Sequence, residues 1–337
     1  MDMRMVGNAD QLVKARRIAF RDGMSSGVQA IELQNQDGLY MTCIEDLCLN
    51  IFDFSYKGIN FAFQSKNGLV SNRFFNGGCA EFGHYWPAGM LYTCGLTNNG
   101  PASMDGGVYH PEHGRIGMMP ARDVAIQRTE NAVIITGTVD ESIICGHHLQ
   151  MHRTIRFPHA GREVEICDEV ANLEPQPMEM ALLYHFNFGY PLLQPGARIV
   201  KGVGASCNLL GTDPVPDDWW KVGEPKDHKL EELFCHENTA DADGWACTAV
   251  INDNLSLGGY VKYKLDSLPL LVHWKNMCSH DYCVGLEPSN NYIKGRAAER
   301  ENGTLPQLTP YERRTFNIKL GVLDGQTEIQ NFTASLK

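Results

Sequence analysis

The sequence lacks the signatures that assign a protein quickly. None of its 11 cysteines forms a Cys-x-x-Cys pair, and there is no His-Glu-x-x-His, Cys/His zinc pattern or EF-hand loop. A catalytic metal therefore has no motif behind it. Gly-x-Gly-x-x-Gly and Walker loops are missing too, so no nucleotide or other cofactor is expected. Basic charge is scarce: 29 Lys and Arg stand against 40 Asp and Glu, a formal net charge of −11. Phosphate backbones and anionic lipid surfaces need a basic face, so nucleic-acid and membrane partners are disfavoured. No run approaches the roughly 20 apolar residues that span a bilayer. Residues 1–7 carry no apolar signal segment. An odd set of scattered cysteines, many in apolar runs such as those around Cys145 and Cys247, would mispair in an oxidising compartment. These absences point to a cytoplasmic protein.

Helical periodicity is scarce as well. Residues 8–20 are expected to form a short helix, and little else of that kind follows. Present instead are short strand-like runs bounded by Gly, Pro, Asn or Asp: 27–33, 39–44, 132–139, 149–157, 164–170, 178–184, 246–251, 257–263 and 315–320. Many short strands with turn signals between them argue for an all-β sandwich or barrel. With no 33- to 45-residue repeat, a propeller or solenoid is not expected. Two stretches, 71–122 and 205–245, read as long loops of the kind that carry function. Both hold aromatics and cysteines, so neither reads as a linker, and 1–337 is expected to be a single domain.

Two segments carry proton-transfer groups inside apolar, strand-like sequence. Leu183-Tyr184-His185-Phe186-Asn187-Phe188-Gly189 delivers an imidazole, and Gly285-Leu286-Glu287-Pro288-Ser289-Asn290 delivers a carboxyl. Burying such groups is costly unless they are paired or used. Taken alone, His185 also fits a core histidine with a backbone partner, and Glu287 an exposed strand-end carboxylate. His113-Gly114-Arg115 combines several hydrogen-bond donors with a glycine that lets backbone approach a ligand, though a polar surface loop would look the same. Thr93 lies in the stretch Tyr92 to Gly100, whose small and amide side chains suit a polyol. Trp86, Trp219, Trp220 and Trp274 are available to stack on a sugar ring or to pack a core. His148 and His152 would share a strand face but lie about 13 Å apart, too far to hold one ion.

Taken together, these segments resemble the aldose 1-epimerase, or galactose mutarotase-like, superfamily. The resemblance is greatest to its bacterial branch of aldose 1-epimerase-like proteins, over nearly the whole chain. It implies a supersandwich of large antiparallel sheets with few short helices and a sugar groove on one sheet. It implies His185 as general acid and Glu287 as general base, facing each other a hexose-width apart, with Glu287 of low pKa and His185 near neutrality. His113 matches a histidine near the ring oxygen, but Gly114-Arg115 departs from the usual His-Gly-Gly. Thr93-Cys94-Gly95-Leu96 stands where an Asn-Arg-Ile stretch is usual. Asn187, Thr93, Trp274, His113 and Arg115 are the expected substrate contacts, and an arginine there would suit an acidic or sulfonated sugar. The partner implied is a small carbohydrate, with a homodimer left open. The implied activity is anomer interconversion; another sugar isomerisation on the same site, or carbohydrate sensing without turnover, are the alternatives.

Overall fold

The structure, a computed structural model, describes residues 3–78, 81–227 and 231–336. Two antiparallel sheets dominate it. The first has eleven strands. Its path runs Lys14–Ala19, Gln29–Gln34, Leu39–Ile44, Asn50–Tyr56, Leu91–Leu96, Ala181–Phe188, Cys283–Ser289, Leu270–Asn276, Glu232–His236 and Ser206–Asn208, with Ile59–Asn60 added on Asn50–Tyr56. The second has eight, in the order Arg198–Lys201, Trp245–Asn252, Leu257–Lys264, Arg313–Asp324, Glu163–Asn172, His148–Pro158, Ala132–Ser142 and Arg122–Arg128. The expected supersandwich is what forms, and its α-helices are few and short.

The burial pattern shows how the layers lie. His148–Pro158 and Glu163–Asn172 alternate between buried and part-exposed positions along most of their length, as strands with one face on a core do. Leu91–Leu96, Ala181–Phe188 and Cys283–Ser289 are buried at every position. Both faces of the first sheet are covered there, so these strands lose the alternation that would mark them in sequence. Phe54, Tyr184, Phe186 and Leu286 point into the core between the sheets. Val28, Tyr92, Leu183 and Val272 belong to a second apolar cluster, on the opposite face of the first sheet.

One ionic network crosses the layers. Arg153 and Asp168 have fully buried side chains, 2.6 Å apart. The guanidinium also donates to the Cys48 carbonyl at 3.0 Å and to Thr93 Oγ1 at 3.0 Å. Tyr184 donates its hydroxyl proton to Asp168 at 2.8 Å. Thr93 and Tyr184 are register partners on neighbouring strands of the first sheet. The second sheet thus grips the first beside the residue that precedes His185.

Three expectations change. Residues 8–20 are not a helix: a 3-10 turn at Ala9–Gln11 leads into the strand Lys14–Ala19. Its ladder to Gln29–Gln34 outweighs the helix propensity of Lys, Ala and Arg. The stretch 71–122 contains a central strand, Leu91–Leu96, and 205–245 contains Ser206–Asn208 and Glu232–His236. Residues 79–80 and 228–230 of these stretches lie outside the described residues. His148 and His152 are engaged elsewhere, at 3.0 Å from Asp140 Oδ1 and 3.1 Å from Thr138 Oγ1. No helix among the described residues is long and apolar enough to cross a membrane.

Candidate active site

The register of the first sheet assembles the site. Ala181–Phe188 pairs with Cys283–Ser289 so that Leu183 faces Ser289, Phe186 faces Leu286 and Asn187 faces Gly285. The same register sets His185 opposite Glu287. Tyr184, Phe186 and Leu286 turn into the core, so His185 and Glu287 emerge together on the other face. His185 Nε2 lies 3.2 Å from Glu287 Oε1, with side-chain exposures of 7% and 1%. The two groups are therefore adjacent on one wall, not a hexose-width apart. Strands side by side bring opposed residues within about 5 Å at Cα, which leaves no room for a sugar between them.

A cavity of about 390 Å³ opens over the pair. Phe82, Trp86 and Trp274 form its aromatic walls, and His113, Glu112 and Glu231 add polar groups. The His185 ring lies 5.3 Å from Trp86, 5.7 Å from Trp274 and 5.8 Å from His113, centroid to centroid. This volume is within the range of small-molecule sites. Wider grooves, of about 610, 870 and 520 Å³, lie elsewhere, and the His185–Glu287 pair lines none of them.

Tight backbone delivers each group. Glu287 folds back over its own strand: a Cβ built on Gly285 would lie 2.2 Å from Glu287 Oε1. A Gly285→Ala variant should therefore push the carboxyl out of line with His185 and sharply lower any activity that needs the pair. Circular dichroism should stay native, because Gly285 keeps an extended conformation that alanine also adopts. His113 sits at φ 54°, and Gly114 follows at φ 72°. The Gly95 amide donates to the His113 carbonyl at 3.0 Å, and the Arg115 amide donates to the Gly95 carbonyl at 2.9 Å. A Cβ on Gly114 would come within 2.0 Å of the Gly95 carbonyl oxygen, so only glycine allows this lacing.

Burial sets the charges. It pushes the Glu287 carboxyl well above the ordinary carboxylate range, and Glu231 adds repulsion. It drives His185 well below the ordinary histidine range, with His113 adding to the effect. The His113 imidazole is pulled down to about 4 by burial. The low Glu287 and near-neutral His185 expected from sequence are thus both displaced, by desolvation that a linear sequence does not display. Glu287 Oε1, its 3.2 Å contact with His185 being out of hydrogen-bond alignment, and His185 Nδ1 are both buried with their hydrogen bonding unsatisfied. The nearby Asn187 amide works against burial, favouring a proton on the His185 ring. His113 Nδ1 lies 3.3 Å from Asn99 Oδ1, while Asn99 Nδ2 donates to Asn291 Oδ1 at 3.1 Å. That chain fixes a proton on His113 Nδ1 and leaves Nε2 as an acceptor.

Of the residues singled out from sequence, His185, Glu287, His113 and Trp274 line the cavity. Asn187, Thr93 and Arg115 do not. Asn187 Nδ2 donates to the Gly89 carbonyl at 2.9 Å and to the His185 carbonyl at 3.0 Å, which braces the strand. Thr93 is spent on Asn50 and Arg153. Arg115 makes a long 3.5 Å contact to the Tyr109 carbonyl, and its charge acts on Glu141, His110 and His147. Glu112, Glu231 and Asn99 were not singled out individually. Their spacing carries no motif, and only the folded loops bring them to the site.

The family model described as a domain of unknown function, DUF4432, matches residues 25–322. No curated protein matches the chain in sequence. Among solved structures, a Klebsiella pneumoniae protein provisionally named an aldose 1-epimerase is similar, with TM-score 0.89 and 22% identity over 98% of this chain and 90% of that one. A galactose mutarotase-like protein from Clostridium acetobutylicum gives 0.64 at 14% identity, over 93% and 98%. A galactose 1-epimerase from Lactobacillus acidophilus gives 0.60 at 13% identity, over 93% and 100%. The chain belongs to the DUF4432 family, and its fold is that of the galactose mutarotase-like structures.

Proposed function

We propose that this protein interconverts the α and β anomers of a free sugar, with His185 and Glu287 moving the protons. The observation that carries the reading is the 3.2 Å contact between a buried imidazole and a buried carboxyl inside a sugar-sized cavity. A cyclic hemiacetal presents two neighbouring oxygens on its anomeric carbon: a hydroxyl that can lose a proton and a ring oxygen that can gain one. An adjacent acid and base suit that pair of atoms better than two groups a hexose apart.

The resting pair is imidazole and carboxylic acid. Glu287 gives its proton to the ring oxygen while His185 Nε2 takes the proton of the C1 hydroxyl. The bond from C1 to the ring oxygen breaks and the open-chain aldehyde forms. Imidazolium and carboxylate now stand in contact and stabilise each other. Rotation about C1–C2 exposes the other face of the carbonyl. On closure Glu287 recovers its proton from the attacking hydroxyl, and His185 returns one to the carbonyl oxygen. Both groups end as they began. General acid–base assistance of this kind contributes about 10²–10⁴-fold. The acceptor on His113 and the walls of Trp86 and Trp274 hold the ring while it opens.

Saturation-transfer NMR over a panel of free sugars tests the reading by detecting exchange between anomeric signals. New epimers would indicate another isomerisation, and binding without exchange would indicate a sensor. The pH profile should follow the charges. The active pair carries a single shared proton, gains a second below the lowered His185 pKa, and loses the first above the raised Glu287 pKa. The rate should therefore hold as pH falls through about 6.5, the ordinary histidine value. An acid limb centred there would overturn the neutral-pair assignment.

A further inference from the structure

Three carboxyl groups, those of Glu112, Glu231 and Glu287, face the cavity, and no Lys or Arg is among its described lining residues. Glu231 is anchored by the Trp274 indole, which donates to its Oε2 at 2.7 Å. Burial raises the pKa of both Glu112 and Glu287 and the Glu231 charge adds to it, so the three carboxyls share one field. The two imidazoles do not offset this charge, because burial holds both in the neutral form. The remaining wall is aromatic: Phe82, Trp86 and Trp274.

Carboxylates alone would make only a self-repelling patch. Here they share a cavity with Glu287 Oε1, which is 1% exposed by residue and whose 3.2 Å contact with His185 Nε2 is out of hydrogen-bond alignment. A buried oxygen whose hydrogen bonding the protein leaves unsatisfied points to a ligand independently of the charges. A ligand that satisfies these walls supplies donors and positive charge. A carboxylate, phosphate or sulfonate on the sugar would meet like charge and no described cation, which runs against the acidic or sulfonated sugar expected from Arg115. An ammonium would relieve the repulsion between Glu112 and Glu231 and would meet the faces of the aromatic rings.

We infer that the sugar is an amino sugar, a free aldose bearing a protonated amine, whose ammonium is received by Glu112 and Glu231 while its anomeric carbon meets His185 and Glu287. The last clause rests on the proposed anomer exchange; recognition of the ammonium does not.

The test compares glucosamine, galactosamine and mannosamine with their parent hexoses, their N-acetyl derivatives and the matching uronates, on the full chain. Binding is read by calorimetry and exchange by saturation-transfer NMR. At least one hexosamine should bind about tenfold or more tighter than its parent hexose and its N-acetyl form. The uronates should show no binding. Glu112→Gln and Glu231→Gln should each erode the advantage of the amine while still binding the parent hexose. Glu112→Gln leaves the indole anchor on Glu231 in place, so a loss seen in both variants is not a displaced Trp274. Equal affinity for amine and parent, no affinity for any hexosamine, or an amine advantage that survives both substitutions would overturn the inference. Tight hexosamine binding without exchange would uphold it and remove the mutarotase reading. Exchange of neutral hexoses with no gain from the amine would do the reverse.

Discussion

Glu287→Gln and His185→Asn should each slow anomer exchange of the true substrate by about 10²–10⁴-fold, the scale of general acid–base assistance. The two side chains touch at 3.2 Å, and in the proposed reaction both pass protons to and from one hemiacetal, so each would fail without the other. The double variant should accordingly be little worse than either single one, since residues that act as a unit give non-additive losses. Glu287→Gln keeps the volume of the original, and His185→Asn keeps a polar side chain in a smaller volume. Because Glu287 rests protonated, glutamine replaces one neutral group by another, and melting temperatures should change little. Saturation-transfer rates, with circular dichroism as the fold check, measure the effect. Full activity in both single variants would end the assignment, and a multiplicative loss in the double variant would mean that the groups act at separate steps.

Much of this site could be read along the chain. His185 and Glu287 stood out because an imidazole and a carboxyl interrupt otherwise apolar strand sequence. The alternating strands of the second sheet, such as His148–Pro158, were legible for the ordinary reason that one face meets the core. The strand Leu91–Leu96 was hidden because all six of its positions are buried and its neighbours are rich in Gly, Pro and Asn. Register was hidden too. Nothing in the sequence says that Leu183 meets Ser289, yet that one pairing turns a histidine and a glutamate about a hundred residues apart into direct neighbours. Arg115 misled because its adjacency to His113 in sequence suggested adjacency at the ligand. At His113 and Gly114 the backbone adopts positive φ, and the Arg115 charge acts on Glu141, His110 and His147 instead. The protonation states were illegible for a related reason: desolvation depends on what the fold places around a group, not on its neighbours in the chain.

Arg153→Met should be among the most destabilising single substitutions in this protein, by about 3–5 kcal/mol, because it strands the fully buried Asp168 carboxylate without its cation. Burial depresses an unpartnered guanidinium, yet here the Asp168 carboxylate holds the Arg153 charge firmly in place. Removing it also takes a donor from the Cys48 carbonyl and another from Thr93. The double variant Arg153→Met with Asp168→Leu should recover most of the loss, as buried ion pairs replaced whole by apolar groups often do. Recovery should be incomplete, because Tyr184 then lacks its acceptor at 2.8 Å and Cys48 its donor. Urea titration of the three proteins measures this, and a single variant as stable as the parent would show that the network carries no net stability. The double variant also separates stability from function. Thr93 and Tyr184, register partners on adjacent strands, are both held from below by this network, and His185 rises from the next position on the other face. If the grip of the second sheet sets the angle at which His185 meets Glu287, a refolded and stable double variant should still turn over more slowly than the parent. The deficit should appear in kcat and not in KM, because Arg153 is not among the cavity walls proposed to hold the sugar ring.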